Sequence, residues 1–155
     1  MTEHIDFLQL RDFAVSTATR AAELIAARRA ELVAGDGIAA HTSTKSSDVD
    51  PVTEVDTATE EFIATTIRTQ RPGDGIFGEE GANVESTSGV TWIVDPIDGT
   101  VNFLYGVPDF AVSIGAEYQG RLVAGAVVNV ARGRTYAAAA GQGATVTGPD
   151  GRLPE

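Results

Sequence analysis

An α+β layer is the fold class this sequence predicts: two long helices packed on a mostly antiparallel sheet. Three observations predict it. Apolar residues recur at helical spacing from about Ile5 to Val33 and again from Ala58 to Ile67. Beyond Gly75, short apolar or alternating segments are separated by glycine turns. The helices precede a meander of strands and do not alternate with it, which argues against βαβ units.

The first helix, about Ile5 to Val33, carries Phe7, Leu10, Ala14, Ala18, Ala21, Leu24 and Ile25 on one face. Arg11, Glu23, Arg28 and Arg29 are among its polar positions. Gly35 and Gly37 are expected to end it. A polar connection runs from Ile38 to Asp50. The second helix is expected to begin near Thr57, where Thr57 and Glu60 have capping-box spacing. Its apolar face would be Ala58, Phe62, Ile63, Thr66 and Ile67, and Pro72-Gly73 would close it. Strands are expected at Gly75 to Gly78, Thr91 to Asp95, Phe110 to Tyr118, Leu122 to Val130, Thr135 to Ala140 and Ala144 to Val146. Gln119-Gly120 and Gly133 mark turns. The alanine run at 137–140 reads as a tightly packed strand.

A chain of 155 residues fits one domain that buries about two thirds of its unfolded surface. A formal net charge of −11 offers no Lys or Arg cluster to replace phosphate counter-ions, which argues against nucleic acid as the main partner. An acidic chain that handles phosphate would need another source of positive charge, and divalent cations are the obvious one. Acidity alone is equally compatible with simple solubility. The absence of cysteine excludes disulfides, thiolate zinc sites and a cysteine nucleophile. No apolar run approaches the ~20 residues needed to span a bilayer. Met1 to Gln9 shows no secretory pattern, so a soluble, cytoplasmic protein with no membrane partner is expected.

The strongest chemical signal is the run from Trp92 to Phe103. An apolar strand delivers Asp95, Pro96 denies a helical start, and Asp98 follows around an expected tight turn. Hard divalent cations take oxygen ligands of this kind, and the Ile97 carbonyl can join them. Gly99 allows close backbone approach. A helix starting near Thr100 would aim free amides at an anion. Taken alone, Asp98-Gly99 reads first as an ordinary turn and Asp95 as a strand-end cap, because acidic turns are common. Two further acidic elements lie upstream. Gly78-Glu79-Glu80-Gly81 ends a predicted strand, where a glutamate could share a metal with Asp95 or could be plain solvated charge. Lys45 to Asp56 ends at a carboxylate that could equally cap the second helix.

These three segments, in this order, resemble the inositol monophosphatase family. They match its Lys-Ser…Asp-x-Val-Thr-x-x-Asp, Gly-Glu-Glu and Trp-(Ile/Val)-(Ile/Val)-Asp-Pro-Ile-Asp-Gly-Thr-x-Asn-Phe elements. The similarity continues through Tyr105 to Pro108, Ala111 to Gly115 and Gly141-x-Gly143-Ala144.

The resemblance implies the N-terminal half of the carbohydrate phosphatase fold and hydrolysis of a small phosphate monoester, inositol monophosphate first. It implies magnesium, two or three ions in a complete site. Glu79, Asp95 and the Ile97 carbonyl would hold one ion, and Asp95 and Asp98 a second. The amides of Gly99 and Thr100 would cradle phosphate, with Asp98 on the substrate side. Asp56 and the Thr100 hydroxyl would orient or activate water, assisted by Glu79, and Lys45 would lie near the site. His4 and His41 fall outside these segments.

The resemblance also implies a departure. Residues 1–155 are expected to form one metal-binding domain without the family's C-terminal domain, whose Trp-Asp-x-Ala-Ala-Gly-type element supplies a further aspartate. The second ion would then bind weakly and activity would be impaired. An apolar sheet face would be left open, favouring self-association, with a homodimer as one form. A truncated homologue that binds metal or a partner protein without turnover is the competing class. Histidinol phosphate, fructose bisphosphate and nucleotide bisphosphates are the competing substrates.

Overall fold

The computed structural model describes residues 5–34 and 51–150. Helix α1 (Phe7–Ala34) and helix α2 (Pro51–Gln70) are followed by β1 (Gly75–Gly78), β2 (Asn83–Val84) and β3 (Val90–Asp98). A short helix α3 (Thr100–Tyr105) leads to β4 (Ala111–Tyr118), β5 (Arg121–Asn129), β6 (Arg134–Ala139) and β7 (Ala144–Thr147). The strands form one seven-stranded sheet in the order β2-β1-β3-β4-β5-β6-β7. Every neighbouring pair is antiparallel except β1 and β3, which run parallel.

Both long helices lie on the same face of the sheet. Helix α1 packs across β4, β5 and β6, and α2 packs against β3 and β1. The buried stripe of α1 is mostly alanine (Ala14, Ala18, Ala21, Ala22), which lets its backbone approach the strands closely. Asp6 caps it, its Oδ1 accepting from the Leu8 amide at 2.9 Å. Opposite stand Val90, Trp92 and Val94 of β3, then Val112, Ile114 and Ala116 of β4, all buried. This is the alternation the sequence predicts for a sheet covered on one side. The helix and strand composition agrees with the predicted α+β class.

Several boundaries and faces differ from expectation. Helix α2 begins at Pro51, six residues before the expected capping box. Proline suits a first helical turn because its missing N–H has no intrahelical partner to lose. Thr57 and Glu60 are therefore interior and form no capping box, and Asp56 does not cap the helix. The buried face is also rotated: Val52, Val55, Asp56, Thr59, Glu60, Ile63, Ala64 and Ile67 are buried, whereas Ala58 is exposed. Strand β3 continues past Asp95 to Asp98, so no tight turn separates the two aspartates. Of the alanine run, only Ala139 is buried. Strand β2, two residues long, has no period for a sequence pattern to reveal. The polar connection with Lys45 and His41, the glycines Gly35 and Gly37, and His4 lie outside the described residues.

Candidate functional site

The parallel pairing of β1 with β3 builds the site. Its register sets Gly78 opposite Val94, and the Glu79 amide donates to the Val94 carbonyl at 3.0 Å. The carboxyl ends of both strands therefore lie together, with Glu79 next to Asp95. Open sheets commonly place ligands beyond the carboxyl ends of parallel strands. Glu79 is exposed and Asp95 half-buried.

A bulge then turns Asp98 to the same side as Asp95. Asp95 pairs with Ser113 and Asp98 with Ala111, so three steps on β3 match two on β4. Strict alternation would have sent Asp98 toward the helices. The irregularity falls at Pro96, which has no N–H to give the ladder. Pro96 and Ile97 are buried, and Asp98 emerges exposed.

Gly99 follows with φ 86° at the start of α3. A Cβ on Gly99 would come within 2.7 Å of the Asp109 carbonyl, so only glycine fits this left-handed position. The Thr100 hydroxyl donates to the Ile97 carbonyl at 3.2 Å, which joins two predicted site groups to each other. Helix α3 is steadied from behind. Arg29 Nε donates to the Phe103 carbonyl at 3.2 Å and its guanidinium lies over the Phe103 ring.

Helix α2 contributes from below. Asp56 is 6% exposed, and its Oδ1 has no hydrogen-bond partner. Burial raises its pKa to about 7, helped by the charges of Glu80, Asp95, Glu60 and Glu79. Asp95 rises to about 6, again by burial first and then by Glu79 and Asp98, while a hydrogen bond from the Ile97 amide partly offsets the rise. The carboxylates from α2, the β1–β2 loop and β3 thus feel one another's field. Among the described residues, no three His, Asp or Glu side chains close into a ready-made metal cage.

The residues present fit a divalent cation by their chemistry. The donors are all oxygens, a buried carboxylate oxygen lacks a partner, and the side chains acting on Asp56 are all carboxylates. The arrangement can gather a cation and an anion at one sheet end, with a carboxylate near neutrality beside them.

Sequence reasoning missed Glu60, which it assigned to a capping box. Its Oε1 accepts from the Glu80 amide at 2.9 Å and its Oε2 from the Ala82 amide at 3.0 Å. The available signal was its place four residues after Asp56 on the same helix face as Val52, Ile63 and Ile67, since two buried carboxylates on one stripe need partners.

Residues 6–154 match the model of the inositol monophosphatase family. Inositol-1-monophosphatase SuhB of Mycobacterium tuberculosis is 50% identical over 153 residues, which cover 93% of this chain and 52% of that protein. A histidinol-phosphatase of Chlorobaculum parvum is 44% identical over 101 residues, covering 65% of this chain and 39% of that protein. The solved structure of Mycobacterium tuberculosis SuhB superposes with a TM-score of 0.78 at 44% identity, over 96% of this chain and 51% of that one. The chain spans about half the length of the curated relatives it matches first.

Proposed function

We propose, from the premise that this chain belongs to the inositol monophosphatase family, that it carries the acidic core of a magnesium-dependent phosphate monoester hydrolase. Inositol monophosphate is the leading substrate class. Histidinol phosphate, the substrate class in one relative's name, is the main competitor. The carrying observation is the buried Asp56, with its unpartnered oxygen and its pKa near 7 among like-charged neighbours.

In this reading Glu79, Asp95, Asp98 and the Ile97 carbonyl would hold magnesium, and residues 1–155 work as one metal-binding domain. When bound, magnesium would neutralise phosphoryl oxygens and make water more acidic. The chain's own groups do the rest. The amides of Gly99 and Thr100 receive the phosphate at the start of α3. Asp98, exposed beside them, faces the substrate. Asp56, with a pKa suited to taking a proton near pH 7, draws one from the attacking water. The Thr100 hydroxyl orients that water, and Glu79 assists. No covalent intermediate is required.

Phosphate release from inositol 1-phosphate, with and without magnesium, tests the reading. Turnover that needs magnesium and falls at least a hundredfold in Asp98→Asn is the expected result. Turnover unchanged in that variant would reject the assignment. Metal uptake without phosphate release would favour the non-catalytic reading.

A further inference from the structure

We infer that Glu60 is a positioning residue for the acidic site: from the helix side of the sheet it clamps the loop that carries Glu79. The inference rests on the metal reading of that site and adds a residue the reading does not use.

Glu60 is 4% exposed, and both of its carboxylate oxygens are engaged. One accepts from the Glu80 amide at 2.9 Å, the other from the Ala82 amide at 3.0 Å. The two amides lie one on either side of Gly81, so a single rigid group fixes both ends of the turn. The loop closes on itself as well, the Gly78 amide donating to the Ala82 carbonyl at 2.7 Å. Glu79, inside this clamp, is tied to β3 through the Val94 carbonyl at 3.0 Å. Its backbone is thus held from β3 on one side and, through its neighbours, from α2 on the other.

Gly78 completes the fit. A Cβ at that position would fall on the Glu60 carboxylate itself. The close approach needs a residue with no side chain, which gives Gly78 a reason beyond turn-making. A buried carboxylate next to Asp56 adds like charge to a crowded region. Among the described residues, that unfavourable placement is offset by charge-assisted bonds to the loop amides. Glutamine cannot replace it faithfully, because its NH2 group would face one of the two amide donors.

Manganese titration by calorimetry on the whole chain tests this, beside an unfolding measurement on each variant. Glu60→Gln and Gly78→Ala are both expected to weaken manganese binding about tenfold, the scale for losing a group that orients a ligand. Asp74→Asn serves as the control. Asp74 precedes β1 at the end of the strand away from Glu79, so its loss should lower stability and leave manganese affinity unchanged. Manganese affinity in Glu60→Gln and Gly78→Ala within about twofold of wild type would overturn the inference. So would an equal loss in Asp74→Asn, which would make the effect one of general stability. Should Glu60→Gln not fold, Gly78→Ala, which alters no charge, decides by the same criterion. A wild-type chain that takes up no manganese would instead bring down the metal reading, and the inference with it, before any variant is compared.

Discussion

The indole nitrogen of Trp92 donates to Asp74 Oδ2 across 2.8 Å, inside the core. Ser88 Oγ donates to the other oxygen at 2.6 Å, and Arg71 pairs with Asp74 from the rim. One carboxylate thereby joins the end of α2, the approach to β1 and the start of β3. Asp74→Asn presents an NH2 group to donors that need an acceptor. It should cost about 2–3 kcal/mol of stability, read from the midpoint of urea unfolding. A change below about 0.5 kcal/mol would show that the cluster contributes little.

Stability should also depend on pH through the acidic site. In the folded chain Asp56 holds its proton up to about pH 7 and Asp95 up to about pH 6, against 3.8 for both when unfolded. Between pH 4 and 7 the folded state therefore binds more protons than the unfolded one. The stabilising contribution is complete below about pH 4 and is lost as pH rises through 6 and 7. Within the range where other carboxylates stay ionised, the metal-free chain should melt at a lower temperature at pH 8 than at pH 5.5. Asp56→Asn should flatten that slope, and thermal melts across the range would show it. Magnesium at pH 8 is expected to recover part of the loss, because it binds the ionised form.

Gly99→Ala should damage the chain where it enters α3. The added Cβ meets the Asp109 carbonyl at 2.7 Å, and φ 86° is unfavourable for any residue with a side chain. About 2 kcal/mol or more should be lost in chemical unfolding. A neutral result would mean that the backbone relaxes away from the left-handed conformation at no cost.

The sheet face opposite the helices carries Leu122, Val127 and Tyr136, exposed by 69%, 38% and 44%. Between them lie Ser113, Gly115, Gly125 and Ala138, too small to shield the backbone. An open apolar face of this kind favours association. Sedimentation of the 155-residue chain should show self-association that weakens in Leu122→Lys. A monomer at high concentration would contradict this.

The sequence exposes what is periodic and local. Leu10, Ala14, Ala18 and Ile25 mark the buried stripe of α1, and Val112, Ile114 and Ala116 mark the covered side of β4. The Trp92–Phe103 run likewise singles out Asp95, Asp98 and Gly99 as candidates for chemistry. Three features were illegible because they depend on partners remote in the chain. The parallel pairing that puts Glu79 beside Asp95 is a property of β1 and β3 together. The bulge that turns Asp98 outward is defined only against Ser113 and Ala111. Glu60 has a local explanation at the sequence level, a capping box, and its true partners are amides some twenty residues later.

Helix α1 is synthesised before β4, β5 and β6, the strands on which it rests. Its alanine stripe therefore stays wet until those strands exist, and the layer cannot close progressively behind the advancing chain. Contacts so far apart in sequence slow folding. The acidic segments precede β4, β5 and β6 in the chain, so their carboxylates stand in water before the sheet beside them is complete.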